Sequence, residues 1–184
     1  MNVCECSQPH HRRRVVLTGG PGAGKTAVGR QLAARLGLEF ADSDAEIEAR
    51  TGVDIAYIFE REGEAGFRAR ERGVIDELTR RSGIVLATGG GAVLLPENRE
   101  CLAARGTVVF LDASIEQQLQ RTRRSRHRPL LATPDPRTRL EELRCIREPL
   151  YRSIAAITIR TDGRRPGTVA GEIVTALSAC NAST

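Results

Sequence analysis

The sequence predicts a single α/β domain in which five parallel strands form one sheet with helices on both faces. Short apolar runs alternate along the chain with longer amphipathic segments, the order typical of parallel sheets whose strands are connected by helices. The apolar runs show no polar alternation, which indicates strands that are covered on both faces. No linker rich in glycine, serine or proline divides the 184 residues, and this length is sufficient for one core.

Five apolar runs are predicted as strands. The second, which ends near Phe40, is weak; the others are Val15–Leu17, Ile84–Ala87, Val108–Leu111 and Ile157–Ile159. The segments with helical periodicity are Thr26–Leu36, Asp44–Arg50, Ile55–Thr79 with breaks, Pro96–Ala104, Ile115–Arg121, Pro136–Tyr151 and Thr168–Leu177. In such folds ligands bind beyond the carboxyl ends of the strands, so a site is expected in the loops that follow them.

The loop between the first strand and the first helix, Gly19–Thr26, has the pattern G-x-x-x-x-G-K-[ST]. Its glycines leave backbone N–H groups free to converge on phosphate oxygens, and the N-terminus of the following helix adds a positive dipole end. Lys25 adds a positive charge, and the Thr26 hydroxyl is a ligand for Mg²⁺. A turn that only reverses the chain does not explain the Lys-Thr pair. The predicted nucleotide-binding residues of this loop are Gly22, Ala23, Gly24, Lys25, Thr26 and Ala27.

Three other loops on the same edge differ in chemical character. An acidic loop, Asp42-Ser43-Asp44, follows the second strand, a glycine-rich loop begins at Thr88, and a basic loop covers 124–134. Phosphoryl transfer needs a metal, a group that orients and deprotonates the acceptor, and cations for the moving phosphoryl group. The three loops and the phosphate loop together offer all of these. A helix N-cap is the structural alternative for the acidic loop.

Composition favours nucleotide phosphates over nucleic acid as the anionic ligand of this chain. The 28 Lys and Arg against 23 Asp and Glu give a formal charge of +5, but aromatic residues make up only 3% and leave little surface for base stacking. The densest basic run, Arg121–Arg128, lies beside Pro129, which favours a lid over phosphates. No apolar run is long enough to span a membrane, and five scattered cysteines indicate reduced thiols, so a cytoplasmic protein is expected.

The ends of the chain are expected to lie outside the domain. We place the domain at 14–178, a disordered leader at 1–13 and a short tail at 179–184. The leader contains Cys4, Cys6, His10 and His11, whose spacing is closer than that of structural zinc sites, so no function is assigned to it.

Ordered motifs along most of the chain resemble the shikimate kinase family. The resemblance covers about Arg14 to Ala176 and implies a P-loop kinase fold with a substrate-binding helical segment at about 43–72 and a mobile lid at about 122–135. The combination of FxDxD, GExxFRxxE and GGGA is specific within P-loop kinases, whereas the phosphate loop alone is not. The motifs in this chain read GGPGAGKT, FADSD, GEAGFRARE, TGGGAV, HRPLL and REPLY.

The resemblance implies transfer of the ATP γ-phosphoryl group to the 3-hydroxyl of shikimate, on the route to chorismate and aromatic amino acids. It implies Mg²⁺ as the cofactor and a monomer without nucleic-acid or membrane partners. By the same resemblance Asp44 contacts the acceptor hydroxyls and acts as the base, and Asp42 joins Thr26 at the metal. Arg68 and Arg147 would hold the carboxylate of shikimate, since a guanidinium presents a planar fork to such a group.

Further roles follow from the same resemblance. Gly89, Gly90 and Gly91 would let backbone N–H groups approach the substrate, and Glu71 would orient the Arg68 guanidinium. Lys25 and Arg128 would be catalytic, with Arg128 closing over the phosphates from the lid. Arg164 would pack against adenine. Thr88 takes the place of the acidic residue usual after a Walker B strand, which strengthens the choice of Asp42 for the metal.

Three alternatives remain open at this stage. Another small-molecule kinase, such as a gluconate kinase, would share the fold and differ at the acceptor site. A nucleoside monophosphate kinase is disfavoured because no base-binding pocket for the acceptor is evident. A P-loop module that acts as a switch or binds nucleic acid would leave Asp44, Arg68 and Gly90 without roles.

Overall fold

Five parallel strands form one sheet in the computed structural model, which describes residues 13–123 and 134–182. The strand order is β2-β3-β1-β4-β5, and every neighbouring pair is parallel. This confirms the predicted fold class. The strands are β1 Arg14–Thr18, β2 Glu39–Asp42, β3 Ile84–Ala87, β4 Thr107–Asp112 and β5 Ile157–Arg160.

Helices cover both faces of this sheet. They are α1 Lys25–Leu36, α2 Ser43–Thr51, α3 Ile55–Leu78, α4 Pro96–Arg105, α5 Ile115–Thr122, α6 Pro136–Ile154 and α7 Pro166–Ala182, with a 3₁₀ turn at Ala92–Leu94. Within the described residues no helix is both long and apolar enough to cross a membrane. The Cys4/His10 group, Arg128 and most of the predicted lid lie outside the described residues.

Some predicted boundaries differ from the observed ones. β2 does not end near Phe40 but continues to Asp42, because its backbone pairs with β3 along its whole length. The predicted break in the third helix is a kink at Gly63, whose φ of 70° lies in the left-handed region. α7 continues to Ala182, beyond the boundary placed at 178, since no glycine or proline follows Gly171 to end it.

The sheet separates two apolar clusters. Successive residues of β1 face opposite sides, so Val15 and Leu17 pack under α1 and α7 whereas Val16 packs under α3 and α4. Because all strands are parallel, their carboxyl ends lie on one edge. The phosphate loop, the acidic loop and the glycine-rich loop therefore begin at the same edge, as the sequence predicted.

Gly29 allows α1 to lie close to β2. A Cβ at Gly29 would be 2.5 Å from Cε2 of Phe40 and 3.2 Å from Cδ1 of Leu17, so any larger residue would force the helix away from the sheet. Thr26 lies in the first turn of the same helix and Asp42 ends the same strand. The close approach at Gly29 thus supports the contact between those two side chains.

We expect Gly29→Ala to lower the free energy of unfolding by about 1–3 kcal/mol, because overpacking against Phe40 outweighs the better helix propensity of alanine. Gly73→Ala on α3 is the matched control, since no heavy atom lies within 4 Å of the added Cβ. There we expect a gain of about 0.5–1 kcal/mol. Urea denaturation measures both, and equal stabilisation by the two substitutions would contradict the close approach.

Candidate active site

The phosphate loop wraps around the Lys25 side chain. The Lys25 ammonium donates to the carbonyl oxygens of Gly19, at 2.7 Å, and Gly20, at 3.0 Å. Gly24 caps α1 with a φ of 98°, a conformation that favours glycine. The predicted strand–loop–helix arrangement is confirmed, and the first backbone N–H groups of α1 point to the concave side of the loop.

Helix α5 braces the phosphate loop from outside. The Arg121 guanidinium donates to the carbonyl oxygens of Gly22 and Ala23, at 3.1 and 3.3 Å, and to that of Thr161, at 2.8 Å. Arg121 was predicted only as part of the basic run, and its position in the helix before the lid was the available signal. The residue ties the phosphate loop to the loop after β5.

Arg164 lies in that loop after β5. Its guanidinium donates to the Arg160 carbonyl oxygen and pairs with Glu172 of α7. The Arg164 backbone N–H donates to Thr161, the residue that Arg121 also holds. Arg164, which is predicted to contact adenine, therefore lies on the phosphate-loop side of the molecule.

Asp42 and Thr26 place two oxygen-bearing side chains in contact at the mouth of the phosphate loop. The Thr26 hydroxyl donates to Oδ2 of Asp42 at 2.8 Å, while Oδ1 of Asp42 accepts from the Asp44 backbone N–H at 3.1 Å. Asp42 is thus the N-cap of α2, as the structural alternative predicted, and its role at a metal stays a prediction. Hydroxyl and carboxylate oxygens are the ligands that Mg²⁺ prefers, so these residues fit that ion.

Asp44 is the second residue of α2, two positions after the N-cap Asp42. Its Oδ1 is buried and has no hydrogen-bond partner among the described residues. Burial, with the charges of Asp42 and Glu71 nearby, raises the pKa of Asp44 to about 7, while Lys25 opposes the shift. A carboxylate with such a pKa is suited to accept a proton near neutral pH.

Glycines 89–91 leave room for the side chains of the site. A Cβ on Gly89 would be 2.5 Å from Oδ1 of Asp44 and 2.7 Å from Oε1 of Glu71, and a Cβ on Gly91 would overlap the Arg68 guanidinium. The Gly89 N–H donates to the Ser43 hydroxyl at 2.9 Å. This N–H thus holds α2, and the approach of the backbone N–H groups of glycines 89–91 to the substrate stays a prediction.

Arg68 and Arg147 are both buried, at 8% and 5% exposure. The Arg68 guanidinium donates to Oε2 of Glu71 at 2.6 Å and also pairs with Glu64, which confirms the geometry predicted for Glu71. Burial raises the pKa of Glu71, and the charges of the two arginines only partly offset it. Glu71 is completely buried, and its second oxygen has no hydrogen-bond partner among the described residues.

Arg147 forms no ion pair with a described carboxylate, although Glu71 and Glu64 lie near enough to interact with its charge. Its guanidinium lies beside the Tyr151 hydroxyl, and burial together with repulsion from Arg68 lowers its pKa. Arg147 and Tyr151 line a cleft of about 320 Å³ whose other wall includes Gly20 and Pro21 of the phosphate loop. Two buried guanidinium groups with one buried carboxylate leave a positive charge that an anionic ligand would balance.

A phosphate loop beside an acidic pair and an anion-binding pocket defines a kinase of the P-loop class that acts on a small molecule. Comparison with known proteins identifies the family within this class. A family model described as shikimate kinase matches residues 21–178, and a shikimate kinase of Halorhodospira halophila is 59% identical over 89% of this chain and 93% of its own. The chain belongs to the shikimate kinase family. The ATP co-substrate follows from that kinase family.

Solved structures distinguish this family from the nearest alternative. Shikimate kinase from Acinetobacter baumannii in complex with shikimate superposes with a TM-score of 0.89 at 50% identity, over 91% of this chain and 93% of that one. A gluconokinase from Sinorhizobium meliloti reaches a TM-score of 0.58 at 16% identity, over 92% of this chain and 94% of that one. The gluconokinase shares the fold alone.

Glu71→Gln should lower the free energy of unfolding by about 3–5 kcal/mol, because it leaves two buried guanidinium groups without their buried carboxylate. Glu62→Gln is the matched control, since Glu62 pairs with Arg70 at the surface of the same helix, at 2.8 Å. There we expect a much smaller change. Urea denaturation at pH 7 measures both. Equal losses of unfolding free energy would show that the buried Arg68–Glu71 pair contributes no more to stability than the exposed Glu62–Arg70 pair.

Proposed function

We propose that this protein transfers the γ-phosphoryl group of ATP to the 3-hydroxyl of shikimate, giving shikimate 3-phosphate and ADP. The observation that supports it best is the pair of buried guanidinium groups, Arg68 and Arg147, beside glycines 89–91. A carboxylate of the acceptor would supply the missing negative charge. Membership of the shikimate kinase family identifies the acceptor.

We further propose that Arg68 and Arg147 hold the acceptor carboxylate from two sides. Glu71 keeps Arg68 in place through its hydrogen bond of 2.6 Å, so the guanidinium is positioned before the substrate arrives. Such preorganisation reduces the entropy lost on binding. Gly91 admits the Arg68 guanidinium, and Gly90 lies beside Arg147.

Asp44 is proposed as the base. It would accept the proton of the 3-hydroxyl as the oxygen–phosphorus bond forms and the bond between the γ-phosphorus and the bridging oxygen breaks, releasing ADP. The buried Oδ1 and a pKa near neutrality suit this role. Lys25, at the start of α1, lies close enough to Asp44 to oppose the rise of its pKa and would contribute its charge from the phosphate side.

Thr26 and Asp42 are proposed to hold Mg²⁺, which would neutralise charge on the phosphates when bound. The phosphate-loop residues Gly22 to Ala27 would bind the β- and γ-phosphates. Contacts of Arg128 with the phosphates and of Arg164 with adenine complete the proposal. The expectation of a cytoplasmic monomer stays a prediction.

An assay of ADP release with Mg²⁺-ATP tests this function, with shikimate, gluconate or a nucleoside monophosphate as the acceptor. We expect release that depends on shikimate alone. Asp44→Asn should lower kcat by about 10²-fold or more and leave the KM for ATP unchanged, because it removes a base and not a nucleotide contact.

The control variant is Asp54→Asn, which changes the N-cap of α3, where asparagine serves equally well. Its kcat should stay within about twofold of wild type. Release that requires a different acceptor would refute the proposed substrate. An unchanged kcat in Asp44→Asn would refute the base while leaving the substrate intact.

A further inference from the structure

Tyr151 joins the two walls of the acceptor site. It lies on α6, one turn beyond Arg147, and its hydroxyl donates to the Gly90 carbonyl oxygen. The Arg147 guanidinium lies beside the same hydroxyl, close enough for the two groups to interact electrostatically. One hydroxyl is therefore bonded to the glycine-rich loop and faces the arginine that forms no ion pair among the described residues.

The surroundings of Tyr151 fix the position of that hydroxyl. The side chain is 3% exposed, and its ring stacks on Phe110 of β4 with centroids 5.1 Å apart and an angle of 20°. The Arg152 guanidinium also lies over the Phe110 ring, 5.3 Å from its centroid. Burial raises the pKa of Tyr151 to about 12, so the hydroxyl keeps its proton near neutral pH.

Side chains from three helices hold the glycine-rich segment around Gly90. Gly89 is held by Ser43 of α2, and the Ala92 carbonyl oxygen accepts from Asn98 of α4 at 2.9 Å. Between these two anchors, Tyr151 supplies the contact from α6. Loss of that contact would release Gly90 and Arg147 together.

We propose that Tyr151 is a positioning residue for acceptor binding, which orients Arg147 and the Gly90 segment toward the substrate carboxylate without touching the substrate. The inference rests on the proposed function. The role of Tyr151 is distinct from that of Glu71, which orients Arg68 from α3. The two arginines are thus each held by a different buried partner.

Steady-state kinetics of Tyr151→Phe test this proposal, because the substitution removes the hydroxyl with its hydrogen bond to Gly90 and keeps the ring. We expect the KM for shikimate to rise about tenfold, the effect of one lost hydrogen bond that leaves partners unsatisfied. The kcat and the KM for ATP should stay within about twofold, since neither the base nor the phosphate loop is touched.

Two further variants separate the hydroxyl from packing. Tyr57→Phe makes the same change at an exposed tyrosine and should leave all constants unchanged. Phe110→Leu loosens the ring stack while keeping the Tyr151 hydroxyl. It should therefore lower the melting temperature but raise the KM for shikimate less than Tyr151→Phe does.

The proposal is overturned if Tyr151→Phe melts at a lower temperature with a wild-type KM for shikimate. It is also overturned if Phe110→Leu raises that KM as much as Tyr151→Phe does, because ring packing would then set the site. Absence of shikimate-dependent ADP release from wild type and Tyr57→Phe alike would instead refute the proposed function, and the inference with it.

Discussion

Two buried guanidinium groups that share one buried carboxylate are the constraint on which the acceptor half of this site depends. Removing a buried charge from its partner costs about 3–5 kcal/mol, so Glu71 must stay against Arg68. Arg147 forms no ion pair with a described carboxylate and lies beside the Tyr151 hydroxyl, while the charges of Glu71 and Glu64 act on it from nearby. Under the proposed function, the carboxylate of the ligand supplies the charge that balances this guanidinium.

The two halves of the site are built from different parts of the chain. The phosphate half is mainly backbone, namely the loop around Lys25 and the N-terminus of α1, with Arg121 as its external brace. The acceptor half is made of side chains from α2, α3 and α6 that converge on glycines 89–91. The gluconokinase shares the fold at only 16% identity, and a shared fold does not imply a shared site.

Local features were predictable from the sequence and long-range contacts were not. Three strands contain continuous apolar runs and were located closely, as was β5, whose residues alternate between buried and exposed; β2 is only partly buried, and its end was misplaced. The phosphate loop is a contiguous motif, so its position was clear. The close contacts of Gly89 and Gly91 were not predicted because they involve side chains from α2 and α3, distant in sequence. Arg121 and Tyr151 bind carbonyl groups 99 and 61 residues away, and no local pattern indicates such partners.

Calorimetric titration with shikimate and with its methyl ester tests the charge imbalance most directly, because the ester keeps the ring and hydroxyls and lacks the negative charge. If the acceptor carboxylate balances Arg68 and Arg147, shikimate should bind at least about 100-fold more tightly than the ester. Equal affinities would contradict the claim, since the buried positive charge would then be compensated within the protein.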